Sequence, residues 1–156
     1  MIKHIKCDIF ESGADLILHQ VNCQGVMGSG IAKQVREKYP HVFTRYKQLC
    51  NDRQDKKDLL GVVQMVGVDI GYRPIYIGNL FAQLNYGCDG KCYTDYNALK
   101  ICLEAVRDHH MFNNPVIAIP YLMGCYRGGG DWNIVYKMIE EIFKDHNVLI
   151  CEYNGG

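Results

Sequence analysis

The segment Leu16–Asn22, Leu-Ile-Leu-His-Gln-Val-Asn, constrains the fold most. Leu16, Ile17, Leu18 and Val21 fall at both odd and even positions, so as a strand it leaves neither face polar. A strand of this kind belongs inside a sheet covered on both sides. It runs through a loop, Cys23–Ser29, into Gly30–Tyr39, where Ile31, Val35 and Tyr39 recur at helical spacing until Pro40 stops the run. Strand, loop and helix in this order specify an α/β chain.

The remainder reads in the same terms. Ile2–Ile9 is a predicted strand, followed by a polar turn at Glu11–Asp15 that contains Gly13. His41–Asn51 is a second helix and Asp52–Asp58 a charged linker. Gly61–Ile70 and Pro74–Gln83 are two strands joined by Gly71-Tyr72-Arg73, a β-hairpin. Leu84–Tyr93 is loop, after which Thr94 or Asp95 caps a helix reaching about His110, with Leu99, Cys102, Leu103 and Val106 on its apolar face. Val116–Pro120 is a short apolar strand, and Tyr121–Gly130 a glycine-dense loop. A helix from Asp131 to about His146, with Ile134, Met138, Ile139 and Ile142 inward, leads to a last strand, Val148–Tyr153. One hairpin among alternating strands and helices predicts a mixed central sheet between two helical layers. No repeat or low-complexity linker interrupts the 156 residues, so one domain over 1–156 is expected.

Charge narrows the partners. The 17 basic and 17 acidic residues balance, and no block of like charge is present, which disfavours a nucleic-acid-coating surface. No run approaches the ~20 apolar residues that span a bilayer. The start, Met1–Phe10, alternates in polarity and lacks a signal-peptide core, so a cytoplasmic chain with no membrane partner is expected. Of the eight cysteines, Cys7, Cys50, Cys102 and Cys151 fall within strand or helix patterns, as reduced core cysteines do. Cys88 and Cys92 stand in a loop without a second Cys/His pair at zinc-site spacing, and no metal or other cofactor is expected.

Two loops carry the chemistry. Gly25-Val-Met-Gly28-Ser-Gly30 lies directly between a buried strand and a helix, where small residues let backbone N–H groups and the helix N-terminus converge on an anion. Its order, G-x-x-G-x-G, is neither the dinucleotide fingerprint nor a Walker A loop. A tight turn that needs glycine for geometry alone is the other reading. Gly124-Cys-Tyr-Arg-Gly128-Gly129-Gly130-Asp131-Trp132 repeats the arrangement after a second buried strand. Two such loops at strand carboxyl ends can close on one ligand, and their few charges suit a diphosphate held by backbone amides.

These residues have a family likeness. Asp8, the run Leu16-Ile-Leu-His19-Gln-Val-Asn22-Cys-Gln-Gly-Val-Met-Gly-Ser-Gly30-Ile-Ala-Lys, and Pro120 leading into Gly124–Trp132 closely resemble the macrodomain family. The likeness covers nearly the whole chain. It lies toward the branch of terminal ADP-ribose glycohydrolases and yeast-type ADP-ribose 1''-phosphate phosphatases, which share the His-x-x-Asn-Cys-x-Gly start of the first loop. The resemblance implies a three-layer α/β/α macrodomain whose partner is ADP-ribose or an ADP-ribose conjugate, an ADP-ribosylated protein included. By it, Asp8 accepts from the adenine amino group with the Ile9 amide assisting, and Tyr153 packs on adenine or its ribose. Gly28, Ser29, Gly30 and Ile31 hold the diphosphate and proximal ribose. Gly124, Cys125, Tyr126, Arg127 and Gly128 close over the distal ribose and the other phosphate.

By the same likeness His19 and Asn22 are candidate catalytic residues. His19 would act as general acid or as a base that positions water, its ordinary pKa of ~6.5 allowing either form. Each residue also has a structural reading: a satisfied core histidine, a turn asparagine, a solvated strand-end aspartate, an edge tyrosine. The glycohydrolase branch uses a strand-end lysine and an acidic second-loop residue to form a covalent adduct, and this chain departs from it. The strand end is Asn79-Leu-Phe-Ala-Gln83, the second loop offers Arg127 and Gly128, Lys91 lies in a loop, and Asp131 is placed to cap a helix. The preferred expectation is a hydrolase of ADP-ribose 1''-phosphate in which Arg127 neutralises the terminal phosphate. A hydrolase of ADP-ribosyl or O-acyl esters, a non-catalytic reader module and an unrelated nucleotide-binding regulator remain open.

Overall fold

The computed structural model describes residues 1–109 and 113–153. The strands are β1 (Ile2–Lys6), β2 (Leu16–Asn22), β3 (Val63–Asp69), β4 (Pro74–Gln83), β5 (Val116–Pro120) and β6 (Asn147–Glu152). The helices are α1 (Gly30–Lys38), α2 (Pro40–Asn51), α3 (Tyr96–Arg107) and α4 (Trp132–Ile142). The sheet order is β1-β6-β5-β2-β4-β3, and β3 alone runs antiparallel, to its hairpin partner β4.

Alternate residues of β2 explain its composition. Leu16 and Leu18 join the core beneath α3 and α4, with Leu99, Leu103, Val135 and Ile139. Ile17 joins the opposite core beneath α1 and α2, with Val35, Val42 and Ile77. Buried aliphatic side chains on both faces hold three layers together, each contributing roughly 1.5–3 kcal/mol of transfer free energy. The Asp15 carboxylate fastens the layer entry: Oδ2 accepts from the Val116 N–H at 2.8 Å and Oδ1 from Arg73 Nη1 at 2.6 Å, tying β5 and the hairpin turn to the start of β2.

The ranges expected for β2, β4 and β5 are those observed. Others shift for local reasons. β1 stops at Lys6 instead of Ile9, because Asp8 caps a short 3-10 turn over Ile9–Glu11 by accepting from the Phe10 N–H at 3.0 Å. The charged linker contains another such turn, Lys56–Leu59, which buries Leu59. The α3 boundary expected at His110 lies outside the described residues, and the helix ends at Arg107. In α4 the inward stripe is Val135, Ile139 and Ile142, and Ile134 faces solvent, one step round the helix from the expected face. Among the described residues no helix is long and apolar enough to cross a membrane.

The sheet also opens where it matters. β2 and β5 are neighbours, yet they pair only at Leu16–Ile117 and Ile17–Ala118. Beyond that point β2 follows β4 and β5 follows β6, so the strands part toward their carboxyl ends. In open α/β sheets such a crevice is where ligands bind.

Candidate functional site

Both glycine loops emerge at this crevice and border one cleft of about 520 Å³. That volume lies within the range of small-molecule sites, ~300–1,000 Å³. His19, Asn22, Gly28, Ser29, Gly30 and Ile31 line it from the β2 side. Gly124, Tyr126, Arg127 and Gly128 line it from the β5 side. Cys125 packs partly buried against the core beneath the second loop and does not line the cleft. Asp8, Ile9 and Tyr153 also lie outside the lining. Asp8 follows β1 and Tyr153 follows the adjacent β6, whose ends are joined by the Cys7 N–H and the Glu152 carbonyl at 3.0 Å. Ile9 is buried in the core, and Tyr153 is exposed.

The first loop is shaped by Asn22. Its Oδ1 accepts from the Gln24 N–H at 3.0 Å and the Val26 N–H at 3.4 Å, while Nδ2 donates to the Val26 carbonyl at 2.8 Å. The hydroxyl of Tyr46, a wholly buried α2 residue, lies 2.7 Å from the Asn22 carbonyl and 2.9 Å from Oδ1. The carboxamide that the sequence offered for chemistry is therefore engaged in holding the turn. Below it, Met27 and Cys23 are fully buried and anchor the loop, so that Gly28–Gly30 pass over the cleft. Ser29 occupies the N-cap position of α1 but makes no side-chain capping bond, which leaves the first-turn amides to a ligand. Substituting Tyr46→Phe removes the donor shared by both Asn22 oxygens. Chemical denaturation should show a loss of about 1–3 kcal/mol.

The second loop is clasped from β2 and from the segment before α3. The Tyr93 and Thr94 N–H groups donate to the Gly128 carbonyl at 2.6 and 3.0 Å, and the Thr94 hydroxyl donates to the Gly124 carbonyl at 2.5 Å. Gln20 Nε2 lies 2.9 Å from both Thr94 Oγ1 and Gln83 Oε1. Asp131 caps α4, as expected, by accepting from the Asn133 N–H at 2.9 Å. Gln20, Thr94 and Tyr46 are the scaffold residues that sequence reasoning missed. Gln20 alone carried a signal, as an amide within an apolar strand.

His19 is 2% exposed, with Nε2 2.5 Å from Asn79 Oδ1 and with Nδ1 buried and lacking a protein partner. Burial pulls its pKa from 6.5 down to about 4, and the hydrogen bond to Asn79 offsets only part of this. The group expected to exist in either form at neutral pH is instead a neutral imidazole, so an imidazolium acid is not available there. Because the folded pKa lies below the unfolded one, the unfolded chain binds the proton preferentially between pH 6.5 and about 4. Stability should thus fall as pH drops through that window, by about 3 kcal/mol from this group. Unfolding measured from pH 7 to 4 checks this, since His19→Gln should lack that part of the slope.

Arg127 reaches the cleft from the second loop, with Nη1 2.7 Å from Cys88 Sγ and its guanidinium 5.8 Å from the Tyr126 ring centroid. Gln83 stands at the β4 end, where its side chain joins the Gln20 clasp and supplies no nucleophilic amine. Lys91 is exposed and paired with Asp89 at 3.7 Å. Among the described residues no three His, Cys, Asp or Glu side chains gather as metal ligands would.

No family model matches the chain. A DNA ADP-ribosyl glycohydrolase of Mycobacterium tuberculosis is 29% identical over 162 residues, covering 100% of this chain and 43% of its own length. The chain thus spans less than half of that relative. An ADP-ribose 1''-phosphate phosphatase of Scheffersomyces stipitis is 36% identical over 95 residues, 52% of this chain and 55% of the relative. The macrodomain of Mycobacterium tuberculosis DarG superposes with a TM-score of 0.74 and 25% identity, covering 99% of both chains. By this fold, these paired strand-end loops and these likenesses, the chain has the macrodomain fold and resembles that family along its whole length.

Proposed function

We propose that the cleft binds ADP-ribose and hydrolyses a derivative substituted on the distal ribose, with ADP-ribose 1''-phosphate as the preferred substrate. The observation that carries this reading is the meeting of both glycine loops, a neutral buried His19 and Arg127 in one cleft. The amides of Gly28 to Ile31 take the diphosphate at the start of α1, and Gly124 to Gly128 cover the distal ribose. Adenine extends toward the neighbouring strand ends, where Asp8 and the Ile9 amide meet its edge and Tyr153 packs on its face. Asn22 contributes by holding the first loop in shape.

In the reaction, water attacks phosphorus and the bond from phosphorus to the ribose oxygen breaks. Ribose keeps that oxygen and takes a proton, and inorganic phosphate leaves. A neutral imidazole of low basicity orients the water through its lone pair, and the proton that the water releases passes by way of a phosphate oxygen to the departing ribose oxygen. Arg127 offsets phosphate charge by charge-assisted hydrogen bonds. The missing strand-end amine argues against a covalent sugar adduct.

The name of the relative that matches along this whole chain favours one further reading, removal of ADP-ribose from a macromolecular conjugate without a lysine adduct. Incubation with ADP-ribose 1''-phosphate separates the two. Release of phosphate at a rate proportional to protein supports the phosphatase. Tight ADP-ribose binding without phosphate release, together with release of ADP-ribose from an ester conjugate, would replace it with the second reading.

A further inference from the structure

The apolar face under α1 and α2 contains one row of polar side chains. His19, Asn79 and Gln64 are direct cross-strand partners on β2, β4 and β3. Their neighbours along those strands, Ile17, Val21, Ile77, Phe81 and Val66, are all buried and apolar. Amides placed in such a layer lose water and must recover hydrogen bonds from one another. The row ends on a group whose polarity is fixed: the Arg45 backbone carbonyl, which can only accept.

That carbonyl determines every other orientation. It accepts from Gln64 Nε2 at 3.1 Å, which turns Gln64 Oε1 toward Asn79. Oε1 accepts from Asn79 Nδ2 at 3.0 Å, which turns Asn79 Oδ1 toward His19. Oδ1, 2.5 Å from His19 Nε2, then requires the imidazole hydrogen on Nε2. Nδ1 keeps its lone pair; it is buried and has no protein partner, on a residue that lines the cleft, so a water reaching it would enter from that side.

We propose that Asn79 and Gln64 are positioning residues that lock His19 in the Nε2–H tautomer and so present Nδ1 as a fixed acceptor for a water or hydroxyl in the cleft. Second partners of a histidine set its tautomer in this way wherever the ring must accept at one nitrogen. That the lone pair serves hydrolysis rests on the function proposed above; the tautomer does not. A row that only fixed strand register would be indifferent to which ring nitrogen carries the hydrogen.

The test compares the wild type, Gln64→Leu and Gln64→Glu, each with ¹⁵N-labelled histidine and free of ligand near pH 7. Gln64 is only partly buried, so these variants leave the core intact. Long-range ¹H–¹⁵N spectra read the tautomer, and His19→Gln assigns the resonances by their loss. Wild type and Gln64→Glu, which keeps an acceptor for Asn79, should show protonated Nε2 and bare Nδ1. Gln64→Leu frees Asn79 to turn its amide toward His19, and the bare-nitrogen signal should move to Nε2 in part or in full. In phosphate-release kinetics Gln64→Leu should lower kcat about tenfold with KM little changed, and Gln64→Glu should restore most of it. Protonated Nδ1 in the wild type, or an unaltered spectrum in Gln64→Leu, overturns the proposal. The expected spectra without phosphate release from the wild type would instead sink the phosphatase reading and leave the lock standing.

Discussion

Replacing Gly129 by alanine should weaken ADP-ribose binding by about 100-fold, equivalent to ~2.7 kcal/mol. Gly129 has φ +70°, and a Cβ there would overlap the Lys91 carbonyl oxygen and lie 3.1 Å from the Cys92 Cα. These obstacles are backbone, so no side-chain rotation relieves them. The segment that would have to move leads into Tyr93 and Thr94, whose N–H groups hold the Gly128 carbonyl. Displacing it unclasps the second loop from the cleft. Left-handed strain of ~1–2 kcal/mol adds to an overpacking cost of ~1–3 kcal/mol, so the thermal midpoint should fall as well. Gly71→Ala is the control. With φ +105° and no atom within 4 Å of the added Cβ, it carries strain without a clash, on a hairpin turn away from the cleft. It should lower stability slightly and leave binding alone. Equal binding by Gly129→Ala and the wild type would remove the second loop from the site.

Loss of His19 should separate turnover from binding. His19→Gln keeps a donor for Asn79 Oδ1 and much of the buried volume, but removes the ring lone pair at Nδ1. Positioned acid–base groups contribute about 10²–10⁴-fold, and with a neutral histidine that orients water the lower end is expected, a fall in kcat of about 10². The Kd for ADP-ribose should stay within a few-fold, because the proposed diphosphate and ribose contacts come from the loops. His19→Ala should lose the same activity and additional stability through the cavity it leaves. Phosphate release at the wild-type rate by His19→Gln would exclude the residue from the chemistry. Because burial holds the imidazole pKa down at about 4, the rate should show no His19 titration near pH 6.5.

The parts legible in the sequence were those whose physics is local. β2, β4 and β5 read to the residue because each is apolar on both faces and is bounded by Asp, Pro, Asn or loop residues. The loops read from their small residues at strand ends, and Asp131 from its place before a helix. Other features depend on distant partners. Thr94 acquires its role from Gly124 and Gln20, 30 and 74 positions away, and no periodicity announces such a clasp. Tyr46 is an ordinary helix-core aromatic until α2 packs its hydroxyl against Asn22. His19 stood out as polar within an apolar strand, but its protonation state follows from burial depth, which only the packed layers define. Ile134 was misplaced because one helical step separates it from Val135, and near-equivalent apolar stripes are resolved only by the facing core.

Calorimetric titration of the wild type with ADP-ribose, ADP and AMP side by side tests whether the two loops form one ADP-ribose site. One site per chain is expected for ADP-ribose, with affinity for ADP lower by about tenfold or more, ~1.4 kcal/mol, because ADP lacks the distal ribose that Gly124 to Gly128 are proposed to cover. Absence of heat with ADP-ribose, or equal affinity for ADP and ADP-ribose, would contradict that arrangement.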